Sequence, residues 1–279
     1  VQPLAPILSA VSMHEFDDES EELVRSVFDY ALDRLRNEPP LDGPMSAEEL
    51  YALVGETITP AGLGGSEALR RYADHLAPAS ISADHPRYLA FVPGAPTKAA
   101  SAFDLVLGSS SLCGSTWLDG AGMAFAENQA LRWIADLADM PASAGGCFVT
   151  GGTMANLSAL VTARYEAIQK RVAARRPRPD RWAVVASEST HSSVDSSARV
   201  MDVDVILAAV DGDRRLRGSA VAEAITGRPA GTEVFAVVAT AGTTNLGVVD
   251  ALGEVADAAA EHGAWFHVDG AYGGAALAA

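Results

Sequence analysis

Lysine is nearly missing from this chain: Lys98 and Lys170 are the only two in 279 residues. Cysteine is as scarce, with Cys113 and Cys147 alone. Their spacing makes neither a disulfide framework nor a metal site, so no metal is expected and a reducing cytoplasm is the expected setting. Positive charge is short overall, since 20 basic residues face 36 acidic ones for a net charge of −16. Nucleic acid is thereby excluded as a partner, because phosphates demand a basic face. The arginine-rich stretch from Lys170 to Arg181, broken by Pro177 and Pro179, reads as a solvated helix end and loop, with an anion site as the alternative. No apolar run approaches the ~20 residues that a membrane span needs. The apolar opening Val1–Val11 lacks the basic flank of a signal peptide. What is present is a hydrophobic share of 49% beside 20% charged residues, the balance of a globular protein with a substantial core.

The early chain is patterned for helices. Glu15 to Arg36 places Val24, Val27, Phe28, Ala31 and Leu35 on one stripe, and Pro39 and Pro40 follow as terminators. Ser46-Ala47-Glu48-Glu49 is a capping-box pattern that opens a second helix. A third is expected from about Ser66 to Leu76. After His85-Pro86 the texture changes. Cys147–Thr150, Ala183–Ala186, Val203–Leu207, Val234–Ala239 and Ala264–Val268 are strand candidates, and helices such as Asn156–Lys170 and Asp250–His262 lie between them. Apolar strands separated by helices predict an α/β fold, a mostly parallel sheet with helices on both faces.

Ligands bind such sheets beyond the carboxyl ends of the strands, and four of those ends carry distinctive chemistry. In Thr150-Gly151-Gly152-Thr153-Met154-Ala155-Asn156, paired glycines let an anion approach the backbone and the dipole of the next helix attracts it. No Gly-Lys-Ser/Thr follows, so this is not a nucleotide P-loop; a tight turn with a Thr cap is the plainer reading. His191 sits among hydroxyls in Ser189-Thr190-His191-Ser192-Ser193, where a solvated histidine is the alternative. Ala239-Thr240-Ala241-Gly242-Thr243-Thr244 leaves room and supplies donors, with Asp250 either supporting that site or capping the next helix. Last, Asp269 ends the apolar strand of Trp265-Phe266-His267-Val268-Asp269-Gly270-Ala271-Tyr272. A carboxylate there calls for a cationic partner, and a protonated pyridine nitrogen would serve.

Together with His85-Pro86-Arg87-Tyr88-Leu89-Ala90-Phe91-Val92-Pro93, Glu127, Trp133 and Ala163-Arg164, these motifs in this order resemble the group II pyridoxal-phosphate (PLP) amino-acid decarboxylases. The likeness runs over about two hundred residues. It implies the type I PLP fold, with residues 1–84 as a helical dimerisation segment and 85–279 as an incomplete cofactor-binding large domain. It also implies a role for each matched position. Gly152 and Thr153 hold the cofactor phosphate; His191 stacks on one ring face and Ala271 packs on the other. Asp269 pairs with the pyridinium nitrogen and keeps it protonated. Thr244 and Asp250 support the pocket, while Phe91 and Pro93 approach the substrate side chain. The implied reaction is loss of the α-carboxylate of an amino-acid substrate as carbon dioxide, in a homodimer.

The family's cofactor-binding lysine follows a histidine beyond the matched Asp-x-Ala-Tyr, and neither Lys98 nor Lys170 stands at that position. The lysine and a small C-terminal domain are therefore expected on a further segment or a second chain, with a truncated product as the alternative. Gly270 stands where many relatives have alanine. Two other readings stay open: a different type I PLP reaction (aldehyde-forming decarboxylation or amino transfer), and a lysine-less binding partner with no catalysis.

Overall fold

The structure, a computed structural model, describes residues 15–60, 62–92 and 94–279. It divides into two compact units, Val1–Ser111 and Leu112–Ala279, each described by itself.

The first unit is helical in its described residues. Helix α1 (Asp18–Arg36) starts where the Asp17 carboxylate accepts the Ser20 N–H, carries Asp18, Glu19 and Glu21 in its first turn, and ends on Arg34 and Arg36. Each sign of charge thus sits at the end of the helix dipole that favours it. Helix α2 (Ala47–Val54) begins with the predicted capping box: Ser46 Oγ accepts the Glu49 N–H at 3.2 Å, and the Glu49 carboxylate accepts the Ser46 N–H at 2.8 Å. Helix α3 (Gly65–Arg71) runs on into a π-helical turn, Tyr72–Leu76. A fourth helix, α4 (Lys98–Ser110), is capped by Thr97 and stops at Ser111 in the left-handed region. The sequence reading had no helix there. The apolar stripe of α1 stays exposed at Val24, Val27 and Phe28, and the helix buries no residue.

In the second unit, α5 (Trp117–Leu137) bends at Gly120, and α6 (Gly152–Ala173) leads into the sheet. Four strands follow: β1 (Arg181–Ser187), β2 (Asp204–Ala208), β3 (Thr232–Thr240) and β4 (Trp265–Asp269). Between them lie α7 (Ser193–Met201), α8 (Gly218–Thr226) and α9 (Leu252–Glu261). All pairs are parallel, in the order β2-β1-β3-β4. The chain steps one way from β1 to β2, then returns past β1 to β3 and continues to β4. This reversal sends α7 to one face and α8 and α9 to the other, because parallel crossovers keep a single hand. Two cores result. Leu160, Val184, Val194, Phe235 and Val238 pack on the α6–α7 face, and Val185, Leu216, Val221, Val237 and Val255 on the α8–α9 face. Residues of β1, and of β3 on either side of an irregularity at Phe235, thus alternate between opposite faces, each buried, which is why both strands read as continuous apolar runs.

One strand expectation fails. Cys147–Thr150 forms no strand. Phe148 and Val149 are exposed, and the Phe148 N–H is taken by the Glu127 carboxylate at 3.2 Å in place of a neighbouring strand. Its apolar, β-branched composition met no ladder partner.

Candidate functional site

The strand register aligns chemistry along the carboxyl ends of the strands. Thr240 at the end of β3 pairs with Asp269 at the end of β4. Ser187 ends β1 at the same level, and His191 follows four residues later, after a short turn. Two backbone bonds then lock the loops together: Ala241 N–H donates to Asp269 O, and Gly273 N–H to Ala241 O, both at 2.9 Å. At Gly273 a Cβ would lie 2.0 Å from that same Ala241 oxygen, so only glycine fits. Gly242, at φ 96°, faces Gly273 across the contact.

Asp269 is 6% exposed, and among the described residues no cationic side chain pairs with it. Its carboxylate accepts the Asn156 amide at 2.9 Å and the Ala271 N–H at 3.1 Å. Asn156 lies in the second turn of α6, one turn past the Gly151-Gly152-Thr153 entry, and its amide nitrogen also donates to Ser193 Oγ at 2.9 Å. Ser193 in turn reaches His191 Nδ1, by hydroxyl at 2.9 Å and by backbone N–H at 3.1 Å. From β4, His267 Nε2 meets Asn156 Oδ1 at 2.8 Å. Burial pushes the His267 imidazole below the ordinary histidine value, an effect that the nearby Asp269 opposes.

The amino end of α6 has no side-chain cap, and Gly151 enters it at φ 91°. Its first-turn N–H groups therefore suit an anion. A Cβ on Gly152 would stand 3.1 Å from Ala271 Cβ, so this helix start and the turn after Asp269 touch. On β3, Thr240 Oγ1 is buried with no partner among the described residues. One end of the site thus favours negative charge and the other positive.

The remaining predicted residues fall differently. Thr153, His191 and Thr244 are exposed at this same end of the sheet. Asp250 points its carboxylate at the backbone, accepting Leu216 N–H at 2.8 Å and Thr240 N–H at 2.7 Å. It does not cap α9, whose N-cap is Ala251 without a side-chain bond. Burial raises its carboxyl above the usual range against the pull of those two N–H bonds. Phe91 belongs to the first unit, 84% exposed, with φ 61° beside Val92 at 59°. Two such residues in the left-handed region cost of order 1–3 kcal/mol each. Pro93 lies outside the described residues. Asn156, Ser193 and His267 are the members that the sequence reading left without a role. At the amino ends of the strands, a cavity of about 500 Å³ holds the arginine-rich stretch, where Arg171 pairs with Glu233 and Arg228 binds backbone carbonyls.

The model of the pyridoxal-dependent decarboxylase conserved domain matches residues 66–279. The chain belongs to that family. Among its relatives, an aromatic-L-amino-acid decarboxylase of Bacillus atrophaeus is 30% identical over 266 residues, covering 93% of this chain and 54% of the relative. An L-2,4-diaminobutyrate decarboxylase of Rhizobium meliloti is 31% identical over 274 residues, covering 94% and 53%. The crystal structure of Oryza sativa TDC with PLP and tryptamine aligns with a TM-score of 0.82 at 26% identity, over 93% of this chain and 56% of that one. The chain spans about half the length of the curated relatives it matches. The parallel sheet with helices on both faces is the family's type I fold, as the motifs implied.

Proposed function

We propose that this chain is the cofactor-binding portion of a PLP-dependent carboxy-lyase that converts an L-amino acid to its amine and carbon dioxide. The observation that carries this reading is the buried Asp269 carboxylate, held by two neutral donors and facing no cationic side chain among the described residues. A buried charge so placed favours a cationic ligand group. The pyridinium of PLP answers it, and the uncapped α6 terminus answers the phosphate.

When bound, the cofactor supplies an electron sink for the pair released as the Cα–carboxylate bond breaks, and a proton then replaces carbon dioxide on Cα. The residues of this chain bind and orient. Gly152 and Thr153 would take the phosphate on the first turn of α6. Asp269 would hold the ring nitrogen protonated, since an adjacent anion favours the charged form. His191 would lie against one ring face and Ala271 against the other. The His191 Nδ1 already receives the Ser193 N–H, so a neutral ring carries its proton on Nε2, free to donate. Thr244 lies on the same rim, and Asp250 holds the end of β3 in place. Phe91 and Pro93 are assigned to the substrate side chain. A second copy of the chain is the proposed cover for the exposed stripe of α1, and the proposed setting is the cytoplasm.

The test is PLP uptake by the intact protein, followed by absorbance and by borohydride trapping, with carbon dioxide release assayed on a panel of amino acids. Asp269→Ala is expected to cost orders of magnitude in turnover. Near-normal turnover in that variant, or no uptake of PLP by the unaltered protein, refutes the reading.

A further inference from the structure

Asn156 is 4% exposed, and each polar atom of its amide is engaged. An amide nitrogen only donates and an amide oxygen only accepts. Turning the amide over would aim its oxygen at the Asp269 carboxylate, so that charge selects the orientation. Three proton positions follow. His267 carries its proton on Nε2, against Asn156 Oδ1. Asp269 accepts on both carboxylate oxygens, from Asn156 and from the Ala271 N–H. Ser193, accepting from Asn156, turns its own hydroxyl hydrogen to His191 Nδ1.

His267 and Asp269 stand two apart on β4, on the same face of the strand. Without Asn156 between them, a histidine and a buried carboxylate are natural ion-pair partners. We propose that Asn156 is a positioning residue that insulates Asp269 from His267: it links the two by hydrogen bonds but lets no proton pass. Near neutral pH a carboxamide neither releases a proton from nitrogen nor holds one on oxygen. Asp269 thereby keeps its full negative charge for the cofactor nitrogen, a role that rests on the PLP reading above. The depressed basicity of buried His267 agrees with a ring kept neutral. The titratable groups that this network joins are Asp269 and His267 from β4 and His191 from the turn before α7; α6 contributes only the uncharged Asn156.

The test uses the intact protein with ring-labelled histidine, free of cofactor, and then PLP titration. In the unaltered protein His267 is expected to stay neutral through the ordinary histidine range. Asn156→Asp keeps the size of the side chain but sets a carboxylate against Nε2, and should raise the His267 titration by about one to three pH units. Asn156→Leu should weaken PLP binding about ten- to a hundredfold, as expected for a lost bond to a charged group. An unchanged His267 titration in Asn156→Asp overturns the proposal. So does PLP binding that Asp269→Ala abolishes but Asn156→Leu leaves intact. If His267 follows residue 156 while the unaltered protein takes up no PLP, the insulating arrangement stands and the cofactor reading falls alone.

Discussion

Asp250→Ala separates two roles that one carboxylate can play. Asp250 accepts the N–H of Leu216, a fully buried residue, and that of Thr240, whose strand end adjoins Asp269. Removing the carboxylate leaves both donors buried without an acceptor, at about 1–3 kcal/mol apiece. The variant no longer buries a carboxylate, which draws the sum toward the lower half of about 2–6 kcal/mol. Hydrogen exchange reads this locally in the intact, cofactor-free protein. The Leu216 and Thr240 amides should lose protection by roughly thirtyfold or more, since each 1.4 kcal/mol is tenfold. Amides in the middle of β1 should change less. Protection unchanged at both positions, with cofactor affinity reduced, would refute the clamp and make Asp250 a direct ligand of the cofactor.

Three further outcomes follow from the same geometry. Gly273→Ala drives a methyl into Ala241 O, where the Gly273 N–H now bonds; a loss of about 2–4 kcal/mol is expected in a urea titration, and a neutral result would mean that the loop relaxes freely. Thr153→Ala, at an exposed position, should leave the unfolding midpoint within about 0.5 kcal/mol while weakening PLP binding roughly tenfold; unchanged affinity by cofactor titration removes Thr153 from the phosphate site. His267 binds its proton less readily in the fold than in the unfolded chain, whose ordinary value is 6.5. As pH falls through and below that value the unfolded chain protonates first, so stability declines toward acid and is unaffected above it. His267→Gln should flatten this part of the stability–pH curve, and an identical curve would refute the shift.

Much of the second unit was legible in the sequence. Strands buried on both faces read as uninterrupted apolar runs, and β1, β2, β3 and β4 fall within two residues of the expected bounds. The Ser46 capping box was legible because it is a local, four-residue device. Cys147–Thr150 was misread because a strand exists only with a partner, which composition does not reveal. Helices α4 and α5 were missed for a related reason: Phe103, Val106, Phe125 and Trp133 are exposed, so no clean stripe marks a buried face. At the site, Asp269 announced itself as a charge ending an apolar strand. Asn156 did not, since an asparagine within a helix is unremarkable until three elements converge on its amide. The available signal was His267, two residues before Asp269 and therefore on its side of the strand.

Among the described residues, the order β2-β1-β3-β4 leaves the outer side of β4 unladdered. Expressed alone, this stretch offers Trp265–Asp269 as a template for other chains, a liability for solubility. The same edge sets a rule for growth of the sheet. Any strand that adds there in parallel brings its own carboxyl end level with Asp269, so the residues that follow it arrive at the rim of the candidate site. Lengthening the sheet and completing the site are then one event, and a peptide that caps β4 in parallel would do both.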